Sequence, residues 1–129
     1  MHPPTGVKTY EGELATFWFD EYGILCAKAK STKRTLQMQK RNYAFIAEIT
    51  GNKKVCLLAD ATHASQQDKK TRDYAAAEMA NSFIAHAVIS KSYTGQFIAS
   101  SFLALKNEPI PIRMFENENA ARAWLRTFL

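Results

Sequence analysis

Five glycines in 129 residues are too few and too scattered for a phosphate-cradling loop. Neither GxGxxG nor GxxxxGK[ST] occurs, which argues against a nucleotide site. The two cysteines, Cys26 and Cys56, have no CxxC spacing and no second Cys or His close enough to share a metal. Both fall in apolar surroundings and read as small core residues. The three histidines, His2, His63 and His86, contain no pair at metal-ligand spacing, so neither metal nor cofactor is expected. GxSxG is absent, and with it the usual hydrolase elbow. No apolar run approaches the ~20 residues that cross a bilayer, and MHPPTGVKTY holds no apolar signal core, so the expectation is a soluble, cytoplasmic protein with no membrane span.

Acidic residues are missing from one stretch. Between Glu21 and Glu48 the chain carries Lys28, Lys30, Lys33, Arg34, Lys40 and Arg41 with no carboxylate, within a net charge of +5. Such a run suits an acidic partner, a phosphate ligand, nucleic acid or an ordinary solvated face. No aromatic platform is interleaved with it, which favours the solvated face and argues against nucleic acid.

What is present is globular: 47% hydrophobic and 22% charged residues, in a length that suits one domain over 1–129 with a loose tail over 1–6. LATFWF (14–19) and ILCAKA (24–29) are strand-like, and the intervening DEYG makes them an antiparallel hairpin. A helix is expected over 35–49, from the stripes Leu36, Tyr43, Ala47 and Met38, Phe45, Ile49, with Gly51 as its stop. The run VCLLA (55–59) has the pattern of a strand buried on both faces, the centre of a parallel sheet. Ser65, with Asp68 three residues on, suggests the cap of a second helix reaching about residue 80. IAHAVI (84–89) supplies a fourth strand, 94–105 a third helix without charge, and 110–115 a fifth strand marked by Pro109 and Pro111. Asn117 caps a last helix with Ala121, Trp124, Leu125 and Phe128 on one face. The order ββαβαβαβα predicts an α/β fold, a mainly parallel five-stranded sheet flanked by helices.

Chemistry concentrates where the central strand ends, in Asp60-Ala61-Thr62-His63-Ala64-Ser65. The carboxyl edge of an open α/β sheet is where ligands and switches sit. His63 there could serve as a base or a pH-sensitive contact, but no nucleophile and oxyanion donor accompany it, so no catalytic residue is assigned and the chain reads as a non-enzyme. The competing reading is architectural: Asp60 and Thr62 bond the loop backbone while Ser65 caps the helix. His86, inside a strand, reads as a core histidine satisfied by a neighbour. Phe97, Ile98 and Phe102 on the uncharged third helix suit ordinary core, an apolar-ligand face or a homodimer face.

Element order, the opening hairpin and the apolar strand ending in Asp60-Ala61-Thr62 resemble the STAS domain, particularly its SpoIIAA-like branch, over about 14–129. That resemblance implies a regulatory or protein-interaction module of the anti-sigma-factor-antagonist type, in which D-x-[ST] carries a phosphorylation switch, here Thr62 beside Asp60. The family's Gly-rich continuation is replaced by His63-Ala64-Ser65. The SpoIIAA-like branch overlaps in fold with lipid-binding CRAL-TRIO domains, which implies a small apolar ligand or lipid as the alternative. A weaker likeness is to a response-regulator receiver, with Asp60 as phosphoacceptor and Ser90-Lys91 after the next strand; the acidic pair a receiver needs after its first strand is not matched, since Asp20-Glu21 lies in the hairpin turn rather than before a crossover helix. The segments GELATFWFDEYGIL and NKKVCLLAD also resemble those of small uncharacterised bacterial proteins, which imply no activity.

Overall fold

The computed structural model describes residues 1–92 and 109–129. The expected helix over 94–105, with Phe97, Ile98 and Phe102, lies outside the described residues. Elsewhere the chain forms β1 (Tyr10–Glu11), β2 (Ala15–Phe19), β3 (Leu25–Ala29), α1 (Leu36–Thr50), β4 (Val55–Asp60), α2 (Lys69–Ser82), β5 (Phe83–Ile89), β6 (Ile112–Phe115) and α3 (Glu118–Arg126). The fold is α/β, but the sheet has six strands rather than five and is mixed. Its spatial order follows the chain, β1-β2-β3-β4-β5-β6; β1–β2 and β2–β3 are antiparallel, and the remaining three pairs are parallel. The added strand is β1, two residues pairing Tyr10 with Phe17 and Glu11 with Thr16, too short to leave a periodic signature.

The hairpin forms as its turn residues require. Gly23 takes the left-handed φ of 78°, and Asp20 Oδ1 accepts the amides of Tyr22 (2.8 Å) and Ile24 (3.0 Å). Thr35 caps α1 by accepting the Met38 amide, and Gly51, at φ 63°, closes it. α2 starts later than Ser65 suggests: Asp68 is its N-cap, accepting the Thr71 amide at 2.8 Å, and Ser65 stays in the loop. At its other end α2 runs into β5 with no connector, and the Phe83 amide still bonds Met79 O. Asn117 caps α3 through the Ala120 amide, as expected.

Alternation along the strands divides the core in two. Phe17, Leu25, Ala27, Leu57, Phe83 and Val88 face Tyr43 and Ile46 of α1 and Ala75 and Met79 of α2. Trp18, Cys26, Cys56, Leu58, Ala85 and Ala87 face Ala121 and Leu125 of α3. The second face is built largely of small side chains, which lets α3 sit close; Cys56 and Cys26 are free and buried there. β4, between β3 and β5, is the interior strand predicted from its unbroken apolar run. The N-terminal tail, expected to be loose, is anchored: the Met1 ammonium pairs with Asp60 Oδ2 at 3.3 Å and Lys28 Nζ lies 3.0 Å from His2 Nδ1.

Candidate functional site

Two places gather polar groups. The first is the loop after β4. Asp60 is buried and accepts the Thr62 hydroxyl (2.6 Å) and amide (3.0 Å) on Oδ1, leaving Oδ2 to the Met1 ammonium. Burial alone would push the Asp60 carboxyl up; the Thr62 hydroxyl and amide and the Met1 ammonium outweigh it and hold the group below its usual range. The Thr62 hydroxyl also accepts the Lys91 amide at 3.1 Å, and Ser92 Oγ donates to the Thr62 carbonyl at 2.6 Å. The carboxyl ends of β4 and β5 are thus tied together through Thr62. A cleft of about 230 Å³ opens here, bordered by Met1, Asp60, Thr62, Ser90, Lys91 and Asn117.

Of the four residues singled out in sequence, Asp60 and Thr62 form one bonded unit. His63 is exposed and Ser65 half-buried, and neither joins it. Asp20 precedes β3, whereas Asp60 ends β4, and β3 runs parallel to β4 with Lys28 opposite Asp60. Asp20 and Asp60 therefore sit at opposite ends of the sheet and cannot share a cation. Among the described residues no group of three or more His, Cys, Asp or Glu is placed to hold a metal, and no helix is long and apolar enough to cross a membrane.

The second place is a partly open pocket on one face of the sheet. Between the sheet and the α1/α2 pair lies a cavity of about 120 Å³, walled by Leu14, Phe17, Ala27, Ile46, Leu57, Met79, Phe83 and Val88. Polar groups interrupt that wall. Gln39 Nε2 donates to Gln67 Oε1 at 3.0 Å, and the Tyr43 hydroxyl donates to Ala75 O at 3.2 Å. Three other residues are left over: among the described residues the buried atoms Arg34 Nε, Asn42 Oδ1 and both ring nitrogens of His86 have no hydrogen-bond partner. His86 is only 7% exposed, and burial lowers its pKa to about 4, so its ring is neutral. Among the described residues no neighbour satisfies it.

Residues 17–129 match the model of a family described as a domain of unknown function, DUF7793. The chain belongs to the DUF7793 family. The match leaves out β1 and begins inside β2, so it takes in the whole Asp60–Thr62 loop and most of the cavity wall. No curated protein and no solved structure matches the chain.

Within this DUF7793 domain the basic run of 28–41 is dispersed rather than presented as a patch. Lys30 pairs with Glu11 at 3.0 Å and Arg41 with Glu13 at 2.6 Å, while Lys40 sits 6.0 Å over the Tyr74 ring. Arg34 is half-buried with its Nε enclosed; Nη2 donates to Leu14 O at 3.4 Å, and among the described residues no carboxylate meets it. Burial lowers its pKa from the usual value, with the Tyr43 hydroxyl opposing that shift. Sequence reasoning missed Arg34 because one arginine among five neighbouring cations carries no mark of burial. It missed the cavity because the wall is a run of alanines, Ala27, Ala59, Ala61, Ala64 and Ala75, each unremarkable where it stands.

Proposed function

We propose that this domain is a non-catalytic binding module whose ligand is a small, mainly apolar molecule held between α1, α2 and the sheet. The observation that carries the reading is the partly open cavity of about 120 Å³, mainly apolar in its wall, with the nine-tenths-buried His86 bare of partners among the described residues beside it. A well-packed interior leaves few voids larger than a water molecule. An apolar cavity of ~150 Å³ already admits benzene. Buried polar atoms without partners are rare and call for an explanation, and a ligand carrying one or two polar atoms supplies it. The apolar-ligand alternative drawn from the SpoIIAA-like resemblance is thus taken to the pocket between α1, α2 and the sheet.

Methyl NMR with hexan-1-ol as probe tests the reading. Saturable shifts confined to Ala27, Ile46, Leu57, Met79 and Val88 are expected. Ala27→Leu, or the smaller Ala27→Val, should abolish them while raising the melting temperature, because each fills empty space. An absence of saturable shifts, or equal binding by the filled variants, would overturn it.

A second reading, a STAS-like protein-interaction module, is favoured by the cleft at the carboxyl ends of β4 and β5, where the Asp60–Thr62 unit meets Lys91 and Asn117. In that reading the loop presents a fixed surface to a protein partner, since the Thr62 hydroxyl is already engaged on both sides. Thr62→Ser should then keep a partner that Thr62→Glu loses. Equal capture by both would remove this reading.

A further inference from the structure

From the chemistry of Arg34 we infer that the ligand of this cavity is a monocarboxylate, its carboxylate held by the Arg34 guanidinium and its hydrocarbon body lying along the apolar wall. The inference rests on the apolar-ligand reading and adds the charge of the ligand to it.

Arg34 borders the cavity with a buried, unpartnered Nε, and its Nη2 makes only a long 3.4 Å bond to Leu14 O. Arg34 is half-buried, and an arginine partly withdrawn from water is ordinarily paired, because an unpaired charge in reduced dielectric is costly. The other cations of this run that lie beside carboxylates have found them, Lys30 on Glu11 and Arg41 on Glu13. Among the described residues the one acidic side chain on the cavity wall, Asp60, has both oxygens engaged, by Thr62 and by the Met1 ammonium, and Arg34 has no counterion. A guanidinium presents parallel N–H donors that match the two oxygens of a carboxylate.

Asn42 stands with Arg34 on the same wall. Its Nδ2 donates to Gln39 Oε1 at 3.3 Å and its Oδ1 is unpartnered. Rotating the amide exchanges the two atoms and turns an N–H donor toward an incoming carboxylate, at the loss of the long bond to Gln39 and with Oδ1 then facing Gln39 Oε1. At about 120 Å³ the cavity has room for a carboxylate and a short hydrocarbon, not for a long-chain lipid. His86, neutral on β5, offers one donor and one acceptor to any further polar atom on that body.

Calorimetric titration of the full chain with hexanoate and with hexan-1-ol separates charge from shape. Hexanoate is expected to bind at least tenfold more tightly than the alcohol, and Arg34→Met, which keeps an apolar stem, should erase that preference while retaining the alcohol. Arg34→Gln serves as a second variant, with circular dichroism reporting that each is folded. If acid and alcohol bind alike, the carboxylate inference fails and the apolar-ligand reading stands. If neither binds, both fail. Hexanoate bound equally by wild type and both folded variants would overturn the assignment to Arg34.

Discussion

The Thr62 hydroxyl lies 2.6 Å from Asp60 Oδ1 and receives the Lys91 amide at 3.1 Å, so one side chain joins the ends of two neighbouring parallel strands. β-Branching fixes its rotamer, and the Thr62 amide adds a second bond to the same carboxylate oxygen. Thr62→Val keeps the shape and removes the hydroxyl, leaving the Lys91 N–H and part of the Asp60 carboxylate unpartnered. The expected loss is about 1–3 kcal/mol, and Thr62→Ser should recover most of it. Urea midpoints at unchanged m-value measure both. Equal stability of the Val and Ser variants would show the bridge to be idle.

Asp60 also sets an acid limit on the fold. Its folded pKa lies below the unfolded one, so its contribution is complete above the unfolded value of about 4 and is lost as pH falls through the lower folded value. Asp60→Asn should therefore flatten stability against pH below about 4 and leave its slope above pH 5 unchanged. Thermal melts across that range decide it, and an altered slope near neutrality would contradict the assignment.

Arg122 holds the hairpin to the last helix. Its Nε donates to Asp20 Oδ2 at 2.9 Å and its Nη2 to Glu118 Oε1 at 3.2 Å, a fork that lysine cannot reproduce. The Asp20 side chain is 10% exposed and organises the turn through its other oxygen, so a lost partner is felt in β2, β3 and α3 together. Arg122→Lys is expected to lose about 1–2 kcal/mol and Arg122→Met somewhat more. A double-mutant cycle with Asp20→Asn should return a coupling above about 0.5 kcal/mol; additivity would mean that the two residues act separately.

The parts of this molecule that could be read in the sequence are those encoded by neighbours along the chain. The apolar run of β4, the Asp20–Gly23 turn, Gly51 after α1 and Asn117 before α3 each declare themselves within a few residues. The start of α2 did not, because Ser65 and Asp68 are both good caps and the choice falls to the path the loop takes after Thr62. β1 forms only because β2 offers an edge to Tyr10 and Glu11. At the candidate site, the Asp60–Thr62 contact is local and was legible as a loop-bonding pair. Its partners Lys91 and Met1 come from 29 and 59 residues away. The cavity lies wholly beyond local pattern: Arg34, Asn42 and His86 meet across two crossovers, and the space between them is set by what surrounding alanines fail to fill.

His86 offers a direct measure of that interior. Its ring is 7% exposed, neither nitrogen has a partner, and burial alone takes its pKa to about 4. In the unfolded chain histidine titrates near 6.5, so between about pH 4 and 6.5 the unfolded state binds more protons than the folded one. Stability is therefore full above about pH 7 and falls with acidification across that window, by about 3 kcal/mol in all. It levels off below the folded pKa, where the separate Asp60 contribution takes over. His86→Leu, similar in volume and without polar atoms, should flatten the curve from pH 4 to 6.5. At pH 7 it should also raise stability by about 1–3 kcal/mol, since two unmade hydrogen bonds are removed from the core. Chemical denaturation at half-unit steps of pH reads both effects. A variant that keeps the slope would place the titrating group elsewhere, and one less stable at pH 7 would mean that His86 has a partner, water or ligand, inside the cavity.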